Sequence, residues 1–241
     1  MTEAGVLRLH FTADDLLHTR FAPTPVPLME LGLAVAALQR QDPVFAGWRD
    51  ASLAALPPPA RPLLRLVPPT GAGPRFLDPI SDGLDEGLAA VMAAPTALVR
   101  RELRRVCGTG QPMTPWVRAL YARDRGAWYE LRDAVRAGYQ TLIRDSWMQI
   151  CRSHRADVAW RTRVAGEFGL QAALQTIHPA ARWRGTTLEV DVPHEATVIA
   201  GGRGVTLLPT AFGAQRPLID TYTDGSLLIV YPALCPLPLI D

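Results

Sequence analysis

Late in the chain, two acids and a histidine stand close enough to act together. Glu189 and Asp191 alternate within TTLEVDV and so share one strand face, and His194 and Glu195 follow at once. Two carboxylates with a histidine could run acid/base chemistry or hold a metal. They could equally line the wet face of a half-buried sheet, which must be polar in any case. The stretch AGGRGVTLLP, from Ala200 to Pro209, raises a second question, because glycine loops can cradle phosphates. Such a loop needs a helix after it, whose free N–H groups bind the anion. Here a β pattern and a proline follow, and neither the GxxxxGK[ST] nor the GxGxxG spacing is present. The stretch reads as a hairpin turn whose glycines permit positive φ, with Arg203 exposed at its tip. Cys107 follows Arg100, Arg101, Arg104 and Arg105, which would favour its thiolate.

Other catalytic patterns are missing. There is no GxSxG elbow and no HExxH, and His10, His18, His154, His178 and His194 include no i,i+4 pair. His178 precedes a proline at a helix end, where capping suits it better than catalysis. The expectation is therefore no catalytic residue, no metal and no cofactor. Aromatic residues offer a better case for a ligand pocket. Trp128, Tyr139 and Trp147, with His178 and Trp183, could line a cavity between helices and sheet. Large aromatics at helical spacing also fill cores, and that reading stays open.

These side chains must be positioned by an α+β scaffold. VLRLHF alternates and reads as a strand over Val6–Phe11, followed by a helix capped by Thr12 with Asp15 three residues on. APTPVP is a linker, and Pro27 can open a dense apolar helix. Residues 57–74, rich in proline and glycine, read as a mobile surface segment. Further helices follow. The longest carries a stripe of Trp128, Leu131, Val135, Tyr139, Leu142 and Ile150 over about six turns. Two more helices are expected near 156–165 and 169–177. After His178-Pro179 the pattern turns to β, and TTLEVDV, ATVIA, VTLLPT and LLIVYP read as strands. The reading is a mostly helical body, about 13–177, packed on a small antiparallel sheet formed by 6–11 and about 186–232. The whole of 1–241 is read as one module.

The totals bound the class. The 241 residues are 48% hydrophobic, enough for a core without disulfides. Cys107, Cys151 and Cys235 form no metal spacing, and a reducing, cytoplasmic setting fits them. The N-terminus does not read as a signal peptide, and no apolar run is long enough to span a membrane. All 25 basic residues are arginine, yet the net charge is only +2. That balance does not favour nucleic-acid binding by the chain as a whole. The arginines of the helix before Cys107 gather on one side, as a solvated face or, less simply, a phosphate-facing one.

Four stretches also resemble one family. LRLHFTADDLLHTRFAPTPVPLMELGLAVAALQ, LQTIHPAARWRGTTLEVDVP, GGRGVTLLPTAFG and LLIVYP occur in the order seen in an N-terminal module of ArsR-like winged-helix transcriptional regulators. The resemblance implies a regulator whose N-terminal part senses a small-molecule effector, forms a homodimer, or both. It carries no catalytic or ligand residues across. The winged helix would begin near Asp241, so the resemblance implies that DNA is bound only through a domain outside this chain. The cysteine-rich metal motif of classical ArsR sensors is absent. An enzyme or stand-alone small-molecule binder using Glu189, Asp191 and His194 is the alternative.

Overall fold

The computed structural model describes residues 5–192, 195–213, 216–221 and 225–234. In chain order the elements are β1 (Gly5–His10), α1 (Ala13–Leu17), β2 (Arg20–Phe21), α2 (Pro27–Ala37), α3 (Ala46–Ala55), α4 (Leu63–Leu66), α5 (Leu84–Ala93), α6 (Thr96–Gly108), α7 (Pro115–Tyr121), α8 (Arg125–Leu142), α9 (Trp147–Phe168) and α10 (Leu170–Gln175). Six strands follow: β3 (Arg182–Arg184), β4 (Thr187–Val192), β5 (Ala196–Ile199), β6 (Val205–Thr210), β7 (Leu218–Thr221) and β8 (Leu227–Pro232). The α+β class stands. Among the described residues, no helix is long and apolar enough to cross a membrane.

The chain divides into two compact units. Residues 5–25 and 151–234 form the first, and 26–150 the second. The division falls inside α9. Of the helices, α1, most of α9 and α10 lie in the unit that holds the strands.

The first unit holds two four-stranded sheets, ordered β3-β4-β1-β5 and β2-β6-β8-β7. Both are mixed, not antiparallel as expected. β1 pairs antiparallel with β4 but parallel with β5, and β6 runs parallel to both β2 and β8. The alternation in β1 and β4 sets their register, with Leu7 opposite Val190 and Leu9 opposite Leu188. Those residues share one core with Leu174 and Ile177 at the end of α10, and with Val205, Leu207, Ile229 and Tyr231 of the second sheet. β6 is buried at every position, as expected of a strand covered on both faces.

The second unit is helical around α2. Pro27 opens this helix where a missing N–H costs nothing, and ten of its eleven residues are buried. Two glycines let neighbours close in. A Cβ on Gly138 of α8 would stand 2.8 Å from Leu63 and 3.3 Å from Leu31. One on Gly87 of α5 would stand 3.0 Å from Leu28. Residues 57–74 are not the surface segment expected. Ala60, Leu63, Leu66 and Val67 are buried, because the prolines bend the chain and its aliphatic side chains turn inward. The expected single stripe also spans two helices. α8 ends at Leu142, and a 3-10 turn at Arg144–Ser146 precedes α9, which then runs unbroken to Phe168. Gly169, at φ +86°, separates α9 from α10.

Candidate functional site

The glycine loop already holds an anion, and it is the chain's own. Gly201, Gly202 and Gly204 all take positive φ. The Gly204 N–H donates to Asp15 Oδ1 at 3.1 Å. Asp15 is fully buried at the start of α1 and accepts from the Thr12 N–H at 2.8 Å and the Thr12 hydroxyl at 2.7 Å. The Thr12 hydroxyl in turn accepts from the Asp15 N–H, completing the expected capping box. Burial alone would raise the Asp15 pKa. Hydrogen bonds from Thr12 and from the Gly202 and Gly204 N–H groups outweigh it and hold the carboxyl below its ordinary value. The loop is not the expected hairpin, since it carries the chain from β5 in one sheet to β6 in the other. Arg203 is exposed, but its side chain lies over Gly225, where a Cβ would meet Arg203 Cδ at 2.8 Å.

The acidic row on β4 is engaged by arginines. Register places Glu189 between Arg8 of β1 and Arg182 of β3. Its carboxylate lies 3.6 Å from Arg8, 3.3 Å from Arg182 and 2.8 Å from Arg184. Asp191 pairs with Arg182 at 2.9 Å. The Arg184 hydrogen bond, with Arg182 and Arg8 near, outweighs burial and lowers the Glu189 pKa. A carboxylate held ionised by three guanidiniums makes a poor proton carrier near neutrality. His194 lies outside the described residues.

A buried polar cluster that sequence reading missed joins α9 to β8 and α10. Arg161 and Asp157 sit one turn apart on α9, and Arg161 Nε donates to Asp157 Oδ2 at 2.9 Å. Both side chains are 1% exposed. The Tyr231 hydroxyl also donates to Asp157 Oδ2, at 2.9 Å, and the Leu234 N–H donates to Oδ1 at 3.0 Å. Arg161 donates to Thr176 Oγ1 and lies over the Tyr231 ring at 4.6 Å. Burial and the Asp157 charge push the Tyr231 hydroxyl far above its ordinary pKa, so it stays a donor. The i,i+4 spacing of Asp157 and Arg161 was visible in the sequence, but such pairs usually lie at the surface.

His154, one turn before Asp157, is 2% exposed and has no hydrogen-bond partner on either ring nitrogen. Burial, with Arg155 adding to it and Asp157 opposing, lowers its pKa to about 4 from 6.5. The unfolded chain therefore takes up this proton first as pH falls. Stability contributed by neutral His154 starts to drop near pH 6.5 and is fully lost below about pH 4. His154→Leu should remove that dependence. Urea unfolding at pH 7.5 and pH 4.5 should show the wild type losing about 2–3 kcal/mol more than the variant. Equal losses would show that His154 does not titrate in this way.

The five aromatic and histidine candidates are spread over both units. Trp128, Tyr139 and Trp147 lie in the second, and His178 and Trp183 in the first. Trp128 is buried against Phe76 at 5.9 Å with Arg123 over its ring at 4.0 Å, and its Nε1–H donates to Leu120 O at 3.2 Å. Tyr139 packs on Trp147 at 6.2 Å. His178 Nδ1 accepts from the Ala180 N–H at 3.1 Å within the turn after α10, as a capping residue would. Trp183 packs on Phe11 at 5.4 Å and donates to Gln171 O at 2.7 Å. A small apolar cleft in the second unit is lined by Leu28, Leu31, Leu63, Val67, Leu77 and Val135 among others, with Asp78 beside Gly32. Its volume of about 20 Å³ admits about one water. Neither Trp128, Tyr139 nor Trp147 lines it.

Cys107 differs from expectation. Burial pushes its thiol up rather than down, and its Sγ lies 4.0 Å from the Met113 sulfur. The arginines before it turn elsewhere, Arg104 to the Tyr121 hydroxyl and Arg105 to Glu102. Among the described residues, no group of three or more His, Cys, Asp or Glu side chains could hold a metal. Comparison with protein-family models, with curated proteins and with solved structures finds no match.

Proposed function

We propose that the chain is an input module of an ArsR-like transcriptional regulator. It pairs two copies of the regulator, takes an effector signal and works in the cytoplasm. One observation carries the reading. The strands at the start of the first stretch lie far in sequence from the other three stretches yet pair with the second and third within one unit. Leu9 of the first stands opposite Leu188 of the second. Asp15 of the first accepts from Gly204 of the third, and Arg20 pairs with Thr206. Leu207 of the third stands opposite Ile229 of the fourth. Segments that resemble one family in order thus build one frame, as parts of a shared fold would. The groups an enzyme would use are occupied internally, Glu189 by arginines and the glycine loop by Asp15.

Sedimentation equilibrium tests the pairing. The chain should behave as a species of twice its 26.3 kDa mass at low micromolar concentration. A single 26.3 kDa species at about 100 μM, weaker than any specific dimer of standard interface size, would contradict it.

A further inference from the structure

Charge is distributed unevenly along the chain. Between residues 88 and 123 lie six of the 25 basic residues but one of the 23 acids. That acid, Glu102 of α6, is buried and paired with Arg101 at 3.2 Å and Arg105 at 2.9 Å. Helix α7 carries no acid at all. Arg123 turns inward, donating to Ala94 O and Thr96 and covering Trp128. Arg100, Arg104 and Arg118 remain, all exposed.

Each of these three is held by neutral acceptors. Arg100 Nε donates to Tyr121 O at 3.3 Å, and Arg104 Nε donates to the Tyr121 hydroxyl at 2.9 Å. Arg118 Nη1 donates to Met113 O at 2.8 Å. The guanidinium carbons of Arg100 and Arg104 each lie 5.4 Å from the Tyr121 ring centre. The forks are thus fixed by one edge while the other edge keeps N–H donors and full charge. That is the preparation a phosphate contact needs, since little side-chain entropy is then lost on binding. The two guanidiniums lie no more than about 11 Å apart, within reach of neighbouring phosphates of one strand.

We propose that the α6–α7 face carrying Arg100, Arg104 and Arg118 binds the phosphodiester backbone of duplex nucleic acid without regard to sequence. The open, two-helix spread suits a polyanion better than a lone phosphate. Tyr121 is already engaged by both arginines, which leaves its ring less free to stack single-stranded bases. The proposal does not rest on the regulator reading.

The test is fluorescence anisotropy of the full chain with two labelled 20-base-pair duplexes of unrelated sequence. Both should bind alike, with Kd below about 10 μM at 50 mM salt, and affinity should fall about forty-fold by 200 mM if three phosphates are contacted. Arg100→Gln with Arg104→Gln should weaken binding at least about ten-fold, and Arg118→Gln about three-fold. Arg61 and Arg65 are exposed cations of the same unit outside this face. Their double Gln variant removes equal charge and should change binding less than about two-fold. Circular dichroism confirms that each variant is folded. No saturable binding at 50 mM salt, an equal loss in the Arg61/Arg65 control, or displacement by inorganic phosphate at constant ionic strength would overturn the proposal.

Discussion

Arg161→Met should lower the stability of the first unit by about 3–5 kcal/mol in urea unfolding at pH 7. The cost arises from what is left behind. Asp157 would keep hydrogen bonds from Tyr231 and Leu234, but its charge would be buried with no cation beside it. Thr176 and the Tyr231 ring would lose their contacts with the guanidinium as well. The double variant Asp157→Asn with Arg161→Met should recover much of the loss, because the amide carries no charge, its oxygen still accepts from the Leu234 N–H and its NH2 can donate to the Tyr231 hydroxyl. A single variant within about 1 kcal/mol of wild type would show that water reaches the pair, which the 1% exposure of both side chains does not suggest.

Asp15→Ala should be nearly as damaging, at about 3 kcal/mol. It removes the cap of α1, worth about 1 kcal/mol, and leaves the Thr12 hydroxyl and the Gly204 N–H without their acceptor, at about 1–3 kcal/mol. Asp15→Asn keeps the shape and should cost less. The pH dependence follows from the lowered pKa of this carboxyl. Its stabilisation is present above the ordinary value of 3.8 and is lost as pH falls through the lower folded value. Asp15→Asn should therefore lose less stability than wild type between pH 5 and pH 2. The same variant is a direct probe of the glycine turn. Amide exchange at Gly204 should quicken in it, and unchanged exchange would mean that the turn does not depend on Asp15.

Local signals are legible in the sequence. Thr12 and Asp15 form their box, Pro27 opens α2, and the alternation of VLRLHF and TTLEVDV sets a shared register. Non-local arrangements were not legible, for physical reasons. Alternation says which face of a strand is buried but not which way its neighbour runs, so the parallel pairs β1–β5 and β6–β8 were missed. Proline and glycine mark breaks in regular structure but not burial, so the inward turn of Leu63 and Leu66 within the segment 57–74 is not legible from them. The candidate site suffered most. Glu189 and Asp191 were seen on one face, but the three arginines that neutralise them come from β1, β3 and the end of β3. The i,i+4 spacing of Asp157 and Arg161 is that of an ordinary surface pair, and nothing local reveals that Tyr231 and Thr176 close over them. Burial is a tertiary property, and it reverses the chemistry inferred for Cys107 for the same reason.

The most direct test of the input-module reading is a repression assay. The chain is fused ahead of a winged-helix DNA-binding domain stripped of its own dimerisation element, and a reporter is placed behind a two-half-site operator. Pairing by the chain should restore repression by on the order of a hundred-fold over the unfused domain, through the effective concentration it gives the second half-site. A fusion that is folded and abundant yet represses no better than the unfused domain would contradict the reading.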